Sequence, residues 1–401
     1  MQIFDLTQAF LLLPLILTLS VYALIGAVSL YASKHSITRH KNKKYDPFIS
    51  IIIPTFNEER IIKQKLQNTL ETSYPKEKME IIVVDSSTDN TPQIVREFLI
   101  KYPFIKLIHD DERMGLATAL NKAYKVCTGD IIVKTDSDVL MDRNTITEMI
   151  SNFADAAVGA VTGRLNVANN ISNEKSYRSI QQRIQTAESC IDSVYMTHTL
   201  VAYRRSLIRA YDPKQYGDET IQSIHIRKQG FRVIYDPEVN FYEPYPESTQ
   251  ERLRQKVRRA GGQIRILLEN LDVFFNRRYG RFGLYVFPSN FFMIILSPIL
   301  LCLIFTALVF DLIVFSSLII VDIMVLVFIG VSFLGRHRPI LSSIWSIIEL
   351  QFVQLLAMKN VLFWKDEHVW QKVDREIDSA SIPLRSIRAD VHYHPEFVFT
   401  K

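Results

Sequence analysis

Cysteine is nearly absent, with three in 401 residues. Cys127, Cys190 and Cys302 are scattered without ligand spacing, so a disulfide framework or thiolate metal centre is excluded. They read as small core or lipid-facing side chains. The glycine loops that cradle phosphates are missing too: no GxxxxGK[ST] occurs, and no GxGxxG follows an apolar run. That weakens a P-loop or dinucleotide reading. Internal repeats and low-complexity tracts are also lacking.

Charge is missing over long stretches. Phe10 to Ser33 carries none, nor does Leu284 to Phe310, and residues 312–335 carry only Asp322. A helix needs about 20 apolar residues to cross a bilayer, so each run is long enough. The leader MQIFD has no basic residue, and the first run exceeds the roughly 7–15 residues of a signal-peptide core. It is expected to stay as an anchor. Its basic flank, KHSITRHKNKKYD, puts the following region in the cytoplasm, and GRHRP at 335–339 returns to that side. A tight outer turn is expected around Asp311. A fourth segment, Ile340 to Trp364, is interrupted by Glu349, Gln351, Gln354 and Lys359. It spans, re-enters or lies in the interface, and the basic tail behind it favours a helix that does not cross. The net charge of +5 gathers beside these segments and suggests anionic headgroups rather than nucleic acid.

The chain then divides into an N-terminal transmembrane helix and flank (1–34), a cytoplasmic domain (35–248), amphipathic interface helices (249–283), a C-terminal membrane region (284–364) and a basic tail (365–401). In the cytoplasmic domain, short apolar runs alternate with helical stretches. FISIIIP, MEIIVVD, IKLIHDD and DIIVKTDSD are each followed by an amphipathic segment. This is the pattern of an α/β fold with a parallel sheet and helices on both faces. Ligands in such folds sit beyond the carboxyl ends of the strands. Three runs deliver oxygen acceptors there: Pro54 and Thr55 with Asn57 and Glu58, then Asp85, then Asp136 and Asp138. Carboxylates gathered at one rim repel, and a hard divalent cation, Mg²⁺ or Mn²⁺, shared with a nucleotide diphosphate, is the natural offset.

These residues resemble the family 2 glycosyltransferases of the GT-A fold, especially membrane-integrated members related to polysaccharide synthases. The likeness covers about Phe48 to Gly262. It implies a Rossmann-like mixed sheet flanked by membrane helices. IIIPTFNEE is similar to the first strand motif, which implies that Pro54, Thr55 and Glu58 hold the nucleoside. VVDSSTDNT places Asp85 at the base contact, and RMGLATALNKA places Arg113 near the nucleobase. TDSD is similar to the metal-binding Asp-x-Asp, which implies metal ligands at Asp136 and Asp138, with Asp136 also near the donor. YGDETIQSIHIRKQGFRVIYDP resembles the Glu-Asp motif whose second acid is the catalytic base. Glu219 takes that place, and because the order of acids is swapped, Asp218 remains a second candidate. RQKVRRAGG resembles Gln-x-x-Arg-Trp at Gln255 and Arg258, with Arg259 in place of the tryptophan. YMTHTLVAYRR stands where synthases carry an acceptor stretch, and Thr197 and His198 depart from it.

The resemblance implies an inverting, metal-dependent enzyme taking a sugar from a UDP- or GDP-sugar. The acidic pair and the Gln-x-x-Arg match favour a hydroxyl on a membrane lipid or lipid-linked acceptor, and Arg259 favours single addition. A processive polysaccharide synthase and a polyprenyl-phosphate glycosyltransferase are the alternatives. Arg252, Arg254, Arg258, Arg259 and Arg265, followed by Leu267, Leu268, Leu271 and Phe274, also suit an amphipathic helix lying at headgroup height. His225 reads as a helix-face residue. A nucleotidyltransferase leaves the membrane runs unexplained, and a transporter needs more membrane helices.

Overall fold

The computed structural model describes residues 2–34, 40–113, 115–169, 171–213, 218–246, 248–314, 319–335 and 338–363. Eight strands form one sheet: β1 (Ile49–Thr55), β2 (Met79–Asp85), β3 (Ile105–His109), β4 (Ile131–Lys134), β5 (Leu140–Met141), β6 (Val158–Val167), β7 (Val201–Arg204) and β8 (Arg232–Glu243). Their order is β3-β2-β1-β4-β7-β6-β8-β5. The first four in space are parallel, as the alternating runs indicate. β7 lies antiparallel between β4 and β6, β8 runs parallel to β6, and β5 is antiparallel to β8. The sheet is therefore mixed.

The helices are α1 (Gln2–Lys34), α2 (Ile62–Leu70), α3 (Thr91–Lys101), α4 (Leu116–Val126), α5 (Thr145–Ser151), α6 (Ser172–Ile191), α7 (Asp218–Lys228), α8 (Thr249–Glu269), α9 (Phe287–Phe291), α10 (Ser297–Val314), α11 (Ile319–Leu334) and α12 (Pro339–Phe363). Side chains alternate between the two faces of a strand. In β1, Ile49, Ile51 and Ile53 enter one buried cluster with Leu66 of α2 and Val95 of α3. Ile52 enters the opposite cluster with Leu120 of α4, Ile221 of α7, Ile266 of α8 and Phe287 of α9. Both faces are covered, which is why these strands are continuously apolar instead of alternating. The second cluster also ties the sheet to the helices that lead into the apolar C-terminal segments. Cys127 and Cys190 are buried, and Cys302 is exposed on apolar α10.

Three helices are long and apolar enough to cross a membrane: Leu12–Tyr31, Phe282–Ile313 and Leu341–Phe363. One feature departs from expectation. Asp311 is not at a turn; it lies within α10, where it is 3% exposed, and the helix runs on to Val314. Burial against protein lets the helix continue past the acid. The fourth segment, for which spanning, re-entrant and interfacial positions are all open, forms the 25-residue α12, long and apolar enough to cross by length and composition. Its polar residues turn onto protein: Gln351 accepts from Ser297 Oγ at 3.0 Å, and Glu349 pairs with Lys256 of α8 at 2.9 Å. By contrast, α11 has only 16 described residues, short of a full span. The basic tail at 365–401 lies outside the described residues.

Candidate active site

The rim is assembled by hydrogen bonds between loops far apart in sequence. Asn57, in the left-handed region at φ 56°, accepts from Thr88 N at 2.8 Å and donates its own N–H to Ser87 Oγ at 2.7 Å. Glu58 N donates to Thr91 Oγ1 at 2.8 Å. The loop after β1 is thereby fastened to the loop after β2. Asp85, 1% exposed, accepts from Thr55 Oγ1 at 2.7 Å and from Ser87 N at 3.1 Å, and pairs with His109 Nδ1 at 2.7 Å. Asp89 accepts from Thr91 N at 2.9 Å as α3 begins.

Below the TDSD loop lie two buried lysines that the motif reading missed. Lys65 of α2 is fully buried and donates to Thr135 Oγ1 at 2.7 Å and Val139 O at 2.6 Å, clamping both sides of the loop. Burial pushes its ammonium down to about 7, and Lys134 adds to the push while Asp136 opposes it. Lys134, the last residue of β4, is 1% exposed at its side chain and pairs with Asp136 Oδ1 at 2.6 Å and with Glu219 Oε1. One buried cation thus joins the first acid of TDSD to the expected base. Lys134 already supplies part of the charge offset that sequence reasoning assigned wholly to a metal. The signal was present in IIVKTDSD, where a lysine closes an otherwise apolar strand.

Pro54, Thr55, Glu58, Arg113, Asp136, Asp138, Glu219, Gln255 and Arg258 all line one cavity of ≈ 580 Å³. Asp85 does not line it; it stands behind Thr55 and His109, which shape the rim. Asp218 opens α7, and its side chain lies outside what is described. Arg113 stacks its guanidinium over Phe56 at 3.9 Å, and burial lowers its pKa. Glu219 sits in the first turn of α7, its main-chain carbonyl held by Ser223 Oγ at 2.9 Å and the Tyr203 hydroxyl at 3.3 Å. Asp136 and Asp138 offer hard oxygen donors on the cavity wall, which fits a divalent cation completed by phosphate oxygens. Among the described residues no group of three or more metal-ligating side chains occurs.

The cavity runs from the strand rim past α6 and α8 to Ser346, Ile347, Leu350 and Val353 of α12. At this far end Arg259 donates to Glu243 Oε1 at 2.6 Å. Burial opposes the charge on Arg259, but Glu243 and Tyr245 override it and hold the guanidinium charged. His198 bonds Gln185 Oε1 through Nε2 at 3.0 Å, and burial with Arg178 and Arg259 nearby drives its pKa well down, leaving it neutral. Glu188 accepts from Asn290 Nδ2 and Tyr195 N, and burial raises its carboxyl to about 7. His225 lies on α7 away from the cavity lining. Sequence reasoning named Arg259 and His198 but not their partners.

Residues 50–212 match the family described as glycosyl transferase family 2. Over that segment the chain resembles a family 2 glycosyltransferase domain, and its fold is GT-A-like. A probable glycosyltransferase, YdaM of Bacillus subtilis, is 29% identical over 283 residues, covering 65% of this chain and 66% of the relative. The poly-β-1,6-N-acetyl-D-glucosamine synthase of Staphylococcus aureus is 28% identical over 287 residues, covering 67% and 68%. The match thus spans about two thirds of these curated relatives. Among solved structures, the mannosyltransferase PcManGT of Pyrobaculum calidifontis, in complex with GDP-Man and Mn²⁺, superposes with a TM-score of 0.76. It is 24% identical, and the superposition covers 89% of this chain and 99% of that one.

Proposed function

We propose that the protein is an inverting glycosyltransferase that moves one sugar from a UDP- or GDP-sugar to a hydroxyl of a membrane lipid or lipid-linked acceptor. The continuous cavity is the observation that carries this reading. Its rim offers Asp136, Asp138, Glu219 and Arg258, and its other end is walled by α12. A soluble donor has access to one end and a bilayer-held acceptor to the other. On this reading the chain is a multi-pass membrane protein with its catalytic domain in the cytoplasm. Arg259, which replaces the tryptophan that helps processive synthases hold acceptor sugar, is tied to Glu243, and this supports single addition. Processive synthesis is the second reading, favoured by likeness to the staphylococcal synthase.

In the reaction, the acceptor O–H proton passes to Glu219 as the acceptor oxygen bonds to the anomeric carbon. The anomeric C–O bond to the diphosphate breaks, and its electron pair leaves on phosphate oxygen. Arg258 answers the charge that develops there, with Gln255 beside it on α8. Pro54, Thr55, Glu58 and Arg113 enclose the nucleoside in the adjoining part of the cavity, and Asp85 acts through Thr55. A bound Mg²⁺ or Mn²⁺, held by Asp136 and Asp138 and shared with the donor phosphates, would supply Lewis-acid stabilisation of the leaving group.

The test is transfer from a panel of radiolabelled nucleotide sugars in membranes, with extraction of lipid products. Asp138→Ala is expected to lower the rate by about 10²–10³, equivalent to about 3–4 kcal/mol, and chelation should mimic it. Near-full activity of that variant with metal chelated refutes the mechanism. Long polymer among the products would favour the processive reading.

A further inference from the structure

Arg178 of α6 is 8% exposed and stands in the cavity wall at the membrane end. Its terminal nitrogens donate to Gln181 Oε1 and to the Tyr245 hydroxyl, both neutral acceptors. Its buried Nε–H has no hydrogen-bond partner among the described residues. Of the neighbouring acids, Glu243 pairs with Arg259 at 2.6 Å and acts on Arg178 through space, while Glu174 and Glu349 pair with Lys256 at 2.6 and 2.9 Å, leaving the second Glu174 oxygen without a partner among the described residues. A buried guanidinium whose hydrogen bonds go only to neutral groups, with one N–H unmet, is a costly arrangement unless a ligand brings further negative charge beside it. Arg178, Arg252, Lys256 and Arg259 line the far end together with Glu174, Glu188 and Glu243, so cations outnumber acids there by one.

We propose that Arg178 receives a phosphate group carried by the headgroup of the lipid acceptor. This rests on the lipid-acceptor reading above and adds that the acceptor is anionic. A guanidinium fork matches the oxygens of a phosphodiester, and its planar face suits an enclosed site better than an ammonium. The lipid rather than the free ion is indicated by what adjoins Arg178. The same cavity continues onto Ile347, Leu350 and Val353 of α12, an apolar wall on which the hydrocarbon of a seated headgroup can lie.

The experiment measures binding, not turnover, with the full-length protein in detergent. The probes are dihexanoyl phosphatidylglycerol, a short-chain glucosyl diacylglycerol without phosphate, and inorganic phosphate. The phosphate-bearing lipid is expected to bind about ten-fold more tightly than the neutral one. Arg178→Gln should abolish that preference while leaving the neutral lipid and nucleoside diphosphate bound as before. Arg178→Lys, which keeps the charge and loses the fork, should retain part of it and serves if the glutamine variant fails to fold. Equal affinity for the two lipids, or an unchanged preference in both variants, overturns the proposal. So does inorganic phosphate binding as tightly as the lipid, which would make this a free-anion site. Loss of nucleotide binding in folded Arg178→Gln would place the guanidinium at the donor instead. Because no sugar transfer is read, failure of lipid glycosylation would refute the proposed function without altering this result.

Discussion

At the scale of single residues, the ion pairs beneath the rim are the part most open to test. Lys134 touches Asp136 and Glu219 at once, so removing its charge leaves two acids facing each other in a poorly hydrated place. Charge-assisted hydrogen bonds are worth about 1.5–3 kcal/mol, so Lys134→Met is expected to cost about 10–10²-fold in rate. Lys134 is a positioning residue, and the pH profile separates that role from simple damage. Without the ammonium, Glu219 holds its proton more tightly, so the acid limb of the rate profile should move to higher pH. A variant that loses rate with an unshifted limb contradicts the assignment. Glu219→Gln should lose most activity under all conditions, whereas Asp218→Asn should lose less if Glu219 is the base. Asp136 was legible because it ends an apolar run, and Glu219 through the resemblance of YGDETIQSIHIRKQGFRVIYDP to the Glu-Asp motif. Their link through the lysine was not, since 85 positions separate Lys134 from Glu219 and only the fold brings them together.

At the scale of elements, β1, β2 and β4 could be read because burial on both faces makes each a nearly continuous apolar run, whereas β3 lies at the sheet edge with Lys106 exposed. β5, with two residues, and β7, with four, carry too short a pattern to be recognised alone. β8 contains Asp236, Pro237 and Glu238, which read as a break, yet its ladder with β6 resumes after a shift in register. Pairing with a distant strand decided these cases, not local preference. Glu80 shows how strands are tied across their ends. It accepts from Ser50 Oγ at 2.6 Å, from Thr128 N at 2.6 Å, and from Lys106 Nζ at 2.7 Å. Burial disfavours its charge, but Lys106, Ser50 and Thr128 prevail and hold its carboxyl down at about 2, below the ordinary 4.5. A lowered folded-state pKa means that the stabilisation is complete above pH 4.5 and is lost as pH falls through about 2. Glu80→Gln is expected to cost about 1–2 kcal/mol at neutral pH, the range for a hydrogen-bonded charge whose cationic partner, Lys106, is half exposed. The gap between variant and wild type should close as denaturation is followed down to about pH 2. A gap of constant size at every pH would show that the loss is not electrostatic.

At the scale of the whole molecule, neither the sheet nor the helices contain the site alone. The rim comes from β1, β4 and α7 with Arg258 of α8, the remaining wall from α6 and the rest of α8, and the far end from α12. The motifs indicated the rim, but only packing of α12 on α8 and α6 reveals that the cavity reaches an apolar helix. That continuity makes a prediction which separates donor from acceptor. Leu350 lines the cavity on α12, remote in sequence from every motif residue at the rim. Leu350→Trp adds bulk where the lipid lies and changes no group that touches the nucleotide. Overpacking a confined site costs about 1–3 kcal/mol, so kcat/KM for the lipid acceptor should fall about 10–100-fold. The affinity for nucleoside diphosphate, measured by titration on the same preparation, should stay within about two-fold of wild type, because uniform binding of the donor is untouched. If both quantities fall together, the far end of the cavity supports the fold and not the acceptor. If neither changes, the lipid approaches by another route, and the placement of the active site against α12 loses its functional meaning.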